Sequence, residues 1–335
     1  MGFLFHISRC NQYDLTEFLP WHISDKRVGY VHKKHSKYLE AFPKFFMSMS
    51  DHFALSDALV NPEDRTKAIE EMLEILRTEE PKLRKLNEKY AVKENINGKT
   101  LMEIDRGAAD FFGILNTGVH LNGVTDDHEN KKMWVATRSH QRKTFPGELD
   151  NMVAGGQPSN ITRQENVIKE CYEEASIPEE LAKASEPKGF VSYNMQSGTT
   201  LRRKILYVYD LYLPNSFIPL PNDNEVEKFD LVSVETVMET IKNRPNAFKY
   251  NCNLVIIDFL IREGLINEDL ENFNKLVQGL RCPIIYPFTI NPDCSPRSVA
   301  LSIRRVCVKS KSAKATCIVV LLSQQSKSPA LHTCL

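Results

Sequence analysis

The chain has 335 residues, enough to bury a substantial core and to form two domains and a tail. With 42% hydrophobic and 26% charged residues, and 43 basic residues balanced by 43 acidic ones, its composition gives no global argument for nucleic acid or an anionic membrane as partner. No apolar run approaches the roughly 18 residues that span a bilayer. The start is apolar for only a few residues and lacks the character of a signal peptide or an Arg/Ser-rich leader, so the expected compartment is the cytoplasm. The eight cysteines include no C-x-x-C pair, which disfavours zinc and suggests reduced thiols.

In chain order, a strand-like patch at 27–31 precedes helical patterns, the clearest running from Pro62 to about Tyr90. There Ala68, Ile69, Met72, Leu73, Ile75 and Leu76 recur at helical spacing, and Asn61-Pro62-Glu63-Asp64 is a start signal with acids at the positive helix end. Residues 1–115 are expected to form a small accessory α/β domain without visible catalytic residues. Residues 116–275 read as a mixed α/β domain, with strands at 119–124, 132–138, 189–193, 204–213 and 229–234. Its helices are expected at 163–175, 234–243 and 252–263. Residues 276–335 form a basic, Cys-containing tail, expected to be disordered or divergent. Arg281, Arg297, Arg304, Arg305, Lys309, Lys311, Lys314 and Lys327 face one acid there, Asp293.

The chemistry-bearing region is 154–177: a strand end, a Gly-Gly loop and a capped helix. Thr162 with Glu165 three residues later is a capping box, placing the helix start at Arg163. Glu170, Glu173 and Glu174 stand at i, i+3 and i+4, which brings three carboxylates within one turn. Ile168, Cys171 and Ala175 fall on another side. Such crowded acids repel, and a divalent cation with a preference for hard oxygen ligands removes the repulsion. A solvated acidic helix face would have the same spacing. The preceding Gly155-Gly156 and the following Ile177 favour a site.

This segment resembles the Nudix box, G-x5-E-x7-R-E-U-x-E-E-x-G-U, with U a bulky aliphatic residue. Gly155, Glu170, Glu173, Glu174 and Ile177 match. Ile161 replaces the first Glu, Lys169 the Arg, Cys171 the aliphatic residue and Ser176 the second Gly. The ordered flanks Gly118-Val-His-Leu-Asn-Gly123, Trp134-Val-Ala-Thr-Arg-Ser139, Tyr207-Val-Tyr-Asp-Leu211 and Glu225-Val-Glu-Lys-Phe229 resemble one Nudix subfamily. It is related to the Nudix domain joined to thiamine pyrophosphokinase in some fungi, and Arg27-Val-Gly-Tyr-Val31 and Phe42-Pro-Lys-Phe-Phe46 resemble the amino-terminal domain that accompanies it. The resemblance covers about residues 15–275. It implies a Nudix α/β/α sandwich with a mixed sheet, preceded by a small α/β domain.

The resemblance also implies Mg2+, with Mn2+ as the alternative, held by Glu173 and Glu174, with Glu170 as third ligand or general base. A carbonyl of Ala154 or Gly155 would complete the shell. Lys169 would orient one carboxylate through a point contact. Glu225 and Glu227 are candidates for a further ligand or base, with an exposed strand edge as the structural alternative. Arg138, Arg142 and Lys143 are candidates to receive phosphates. Trp134, Tyr193, Tyr207 and His120 are more often core than functional in such positions. Asn160 and Asn224 stand where glycine is usual and would tolerate left-handed backbone, whereas Ser176 would tolerate it less well.

The reaction expected is hydrolysis of a diphosphate to a monophosphate, with oxidised or damaged thiamine diphosphate as the implied substrate. The partner is a small molecule, and the oligomeric state is open. Alternatives are a nucleoside-diphosphate-derivative pyrophosphatase acting on an ADP-ribose-like substrate and a catalytically idle ligand-binding module. An isoprenyl-diphosphate isomerase is disfavoured, because Cys171 falls on the buried side of the helix.

Overall fold

The structure, a computed structural model, describes residues 2–80, 83–125 and 131–285. The strand-rich first half owes its core to bulky side chains in short strands: β1 (Phe18–Ile23), β2 (Lys26–His32), β3 (Phe46–Ser48) and β4 (Phe53–Leu55) form a sheet in the order β2-β1-β4-β3. Two helices precede and interrupt these strands, α1 (Phe3–Cys10) and α2 (Ser36–Glu40). A longer one, α3 (Pro62–Glu79), follows, and then a hairpin of β5 (Lys89–Val92) and β6 (Met102–Asp105). The apolar stripe of α3 is buried as its spacing predicts, except for exposed Ile75, and packs with Trp21, Phe53 and Phe112. Helix α3 stops well short of Tyr90. Glu80 precedes Pro81, which disfavours helical backbone at the residue before it, and Tyr90 lies in a strand instead.

The second half is a seven-stranded sheet. Its strands are β7 (Leu115–Thr125), β8 (Lys132–Arg138), β9 (Leu149–Asp150), β10 (Val153–Gly156), β11 (Glu186–Ser197), β12 (Thr200–Leu213) and β13 (Val226–Ser233). The main order is β11-β12-β7-β8-β13, with β10 on β7 and β9 on β8. The β12–β7 pair is parallel and the others are antiparallel.

Between and after these strands lie α4 (Arg163–Ala175), α5 (Glu179–Ala182), α6 (Val234–Asn243), α7 (Cys252–Arg262) and α8 (Phe273–Gly279). Alternation along β7 sends Val119 and Leu121 to the α4 face, where they meet Val167, Cys171 and Ala175. Val124 goes to the opposite face, with α7. The result is an α/β/α sandwich with a mixed sheet, as expected.

Two expected boundaries shift. Helix α1 does not join the first-half core: Phe3, Ile7 and Cys10 pack with α7, α8 and β11 of the second half. Residues 276–285 are not a loose tail either. Leu276, Leu280 and Ile284 are buried, Ser192 N–H donates to the Leu280 carbonyl at 3.0 Å, and Arg281 pairs with Asp258 at 2.5 Å. The rest of the expected tail lies outside the described residues.

The halves are joined by a buried cation. Arg203 of β12 is 1% exposed and donates to the carbonyls of Gly113 at 3.0 Å and Ile285 at 2.6 Å. No helix among the described residues is long and apolar enough to cross a membrane.

Candidate active site

The capping box forms as the sequence predicts. Thr162 Oγ1 accepts from Glu165 N–H at 3.2 Å, and Glu165 Oε2 accepts from Thr162 N–H at 2.7 Å. At the other end of α4, Ser176 takes the left-handed conformation (φ 52°), and the N–H of Ile177 closes the helix on the Cys171 carbonyl at 3.0 Å. Ser176 Oγ donates to the Leu220 carbonyl at 2.9 Å, a bond that glycine would lack. Asn160 and Asn224 do not adopt positive φ, so the left-handed tolerance expected of them is not used.

The three glutamates do not share one environment. Glu170 and Glu174, one turn apart, are buried, while Glu173 is about half exposed. Burial raises the pKa of Glu170, and the Lys169 ammonium partly offsets this. Burial lifts Glu174 well above the carboxylate range, neighbouring Glu170 adds to the rise, and the N–H that Ala154 donates at 2.8 Å opposes it. Lys169 contacts two carboxylates rather than one: Glu173 at 2.6 Å and Glu170 at 3.2 Å.

Gly155 is indispensable to this arrangement. A Cβ there would stand 2.1 Å from Glu170 Cδ, so the bare backbone is what admits the carboxyl. Gly118, the next glycine across the ladder, similarly leaves room beside the Gly155 carbonyl: a Cβ at Gly118 would come within 2.7 Å of that oxygen. Two buried carboxylates that burial drives toward neutrality, with Glu173 and an uncrowded carbonyl nearby, are a hard-oxygen donor set that fits a divalent cation.

Of the remaining candidates, Glu225 lies near the carboxylates, raises the pKa of Glu174 and pairs with Arg142. Glu227 is exposed, skipped by the β13–β8 ladder at a bulge. Arg138 is turned inward instead of toward a ligand. It donates to Asp150 at 2.7 Å and to the carbonyls of Phe145 and Thr144 at 3.0 and 3.1 Å, which commits the guanidinium to the fold. Lys143 is exposed. Trp134 sits in the core behind α4, and Tyr207 lies under the Arg163 guanidinium, 4.1 Å from its ring centroid.

Asp150 anchors a second cluster. It accepts from Arg138, from Lys249 at 3.0 Å and from the Cys252 thiol at 2.6 Å. His120 lies beside it, bonded through Nδ1 to Asn151 Oδ1 at 2.9 Å. Burial, followed by the Lys249 charge, lowers its pKa to about 4, so it is a neutral structural histidine. His120, Asp150 and Cys252 are close enough to suggest a metal site, but two cations already occupy the carboxylate.

A cleft of about 420 Å³ opens onto the backbone of Ala154, Gly155 and Gly156. Its walls come from both halves: Tyr90, Arg106 and Asp110 from the first, Arg202, Lys204 and Lys249 from the second. Arg202 and Lys204 share Asp110, at 3.1 and 3.2 Å, just as Arg138 and Lys249 share Asp150. None of these cleft cations lies in a motif that sequence reading could single out. The available signal was the run Arg202-Arg203-Lys204 at the head of a strand that begins at Thr200, ahead of the expected 204.

A family model described only as a domain of unknown function (DUF4743) matches residues 2–116. Nudix hydrolase 20, chloroplastic, of Arabidopsis thaliana is 38% identical over 88% of this chain and 79% of its own length. Nudix hydrolase 24, chloroplastic, of the same plant has the same identity and coverage. Among solved structures, DR0079 from Deinococcus radiodurans is 20% identical, with a TM-score of 0.40, covering 50% of this chain and 97% of that one. The 38% identity with the two Arabidopsis hydrolases, over most of this chain and of theirs, shows that the chain belongs to the Nudix hydrolase family.

Proposed function

We propose that the protein hydrolyses the diphosphate bond of a small metabolite to leave a monophosphate, and that its substrates are thiamine-diphosphate-like, notably oxidised or damaged forms. The observation that carries the reaction class is the placing of Glu170 against Gly155 and of Glu174 on the Ala154 N–H, on a segment that lines a cleft rich in cations. The substrate class comes from the subfamily resemblance. The cleft supports a small ligand by its size and by the buried aromatic Tyr90, Tyr193 and Tyr250 on its walls.

Glu170, Glu173 and Glu174 would hold a divalent cation, Mg2+ or Mn2+, with the Gly155 carbonyl as a further donor. Such a cation, when bound, supplies neutralising charge for the diphosphate oxygens and acidifies nearby water. The protein's own groups do the rest. Lys169 ties Glu173 to Glu170 and fixes both carboxyls. The N–H of Ala154 holds Glu174. Glu225, pinned by Arg142, stands near enough to Glu174 to serve as a further acid or base. The cations of the cleft draw the anionic substrate in.

A screen of purified protein with Mg2+ against thiamine diphosphate, its oxidised derivatives and ADP-ribose tests this reading. Highest kcat/KM on the thiamine series supports it, and faster turnover of ADP-ribose would replace it with the nucleoside-diphosphate alternative. The cytoplasm remains the proposed compartment, and localisation of a tagged chain in its own cells decides it.

A further inference from the structure

The cleft wall contributed by the first half contains an arginine in a prepared position. Arg106 opens a short 3-10 turn (Arg106–Ala108) directly after β6. Asp105 caps that turn by accepting from Gly107 N–H at 2.8 Å, and Gly107 sits so tightly on the Arg84 carbonyl that a Cβ would come within 1.9 Å of it. The Arg106 backbone N–H donates to the Glu88 carbonyl at 2.8 Å, so the backbone is fixed on both sides.

The side chain is tied at one point only. Nη1 donates to Glu88 Oε2 at 2.7 Å, the side chain stays 40% exposed, and the guanidinium has no further hydrogen-bond partner among the described residues. Its neighbour Tyr90 reaches across to the other half, its hydroxyl so close to Gly156 that a Cβ there would stand 1.7 Å away. A backbone bond from Ser159 N–H to the Lys89 carbonyl at 2.9 Å stitches the same hairpin to the loop before α4. Arg106, Tyr90, Gly155 and Gly156 thus border one cleft.

We propose that Arg106 binds the substrate's diphosphate from the side opposite the α4 carboxylates, so that the amino-terminal region supplies half of the active site. This rests on the diphosphatase reading above. The guanidinium fork matches phosphate oxygens in a way a point charge does not, and its free N–H groups open on the cleft.

The test compares the full-length wild-type chain with Arg106→Gln, Arg106→Lys and Glu88→Gln. It uses calorimetric binding of imidodiphosphate with Mg2+, kcat/KM on thiamine diphosphate, and thermal melts. Losing charge-assisted bonds to an anion predicts roughly 10- to 100-fold weaker imidodiphosphate binding and a matching loss in kcat/KM for Arg106→Gln. Arg106→Lys should recover part of this, and Glu88→Gln should bind as well as wild type or better. Wild-type affinity in Arg106→Gln would overturn the proposal. So would an equal loss in Glu88→Gln, which would reduce Arg106 to a structural ion pair. If the wild-type chain turns over no diphosphate, the functional reading fails by itself, while the imidodiphosphate comparison still decides the role of Arg106.

Discussion

Two charged regions, the α4 carboxylates and the cation pairs around Asp110 and Asp150, are built on opposite imbalances. On α4, Glu170, Glu173 and Glu174 have one cation between them, Lys169, and the two buried acids are pushed toward their neutral forms. Around Asp110 and Asp150 the excess is reversed: each carboxylate serves two cations, Arg202 with Lys204 and Arg138 with Lys249. Each region is thus only partly compensated by its own side chains. The comparison teaches that the acidic side leaves crowded carboxyls with too few cations to pair them, whereas the Asp150 side holds the fold together. On the proposed reading, a cation and a diphosphate supply the charges that the two regions lack.

The largest effect is expected from breaking the Asp150 side. Asp150→Asn would leave buried Arg138 and partly buried Lys249 beside a neutral amide, at a cost of about 3–5 kcal/mol in unfolding free energy. Urea denaturation reads this, and a loss below about 1 kcal/mol would show that the cluster is not structural. On the acidic side, Gly155→Ala should act on chemistry more than on stability. The new Cβ displaces the Glu170 carboxyl, and a misplacement of this kind costs on the order of 100-fold in kcat. Unchanged kcat would mean that the Glu170 position is not critical.

A pH experiment sharpens the contrast. His120 in the folded chain has a pKa near 4, below its ordinary 6.5, so on acidification the unfolded chain takes up the proton first. Its contribution to stability is complete above about pH 6.5 and is lost as pH falls toward 4. His120→Asn should flatten the melting-temperature profile across that window, and parallel profiles would contradict the assignment. The smallest effect is expected at Ser176. Glycine there relieves a positive φ but forfeits the bond to Leu220, so Ser176→Gly should stabilise by less than about 1 kcal/mol.

Much of the local structure was legible in the sequence because it depends on neighbours. The capping box at Thr162, the start of α3 at Pro62 and the left-handed Ser176 follow from residues a few positions apart. The α4 carboxylates were legible as a spacing, but not their unequal burial, which depends on β10 crossing at Gly155. Arg138 reads as a free cation beside a loop until Asp150 is brought to it, twelve positions on, by β9. Arg106, Asp110 and Lys249 carry no local signal at all, since only the packing of the two halves makes them neighbours. The packing of Leu276, Leu280 and Ile284 was obscured by the basic run that follows them in sequence.

The most direct test of the central claim is release of monophosphate from thiamine diphosphate, its oxidised derivatives and ADP-ribose by the wild-type chain and by Glu174→Gln, with Mg2+ present. The glutamine can still accept the Ala154 N–H, so the fold should persist by circular dichroism and thermal melting. The wild-type chain is predicted to hydrolyse the thiamine series, and the variant to lose about 1,000-fold or more in kcat. Full activity in a folded Glu174→Gln variant would contradict the account.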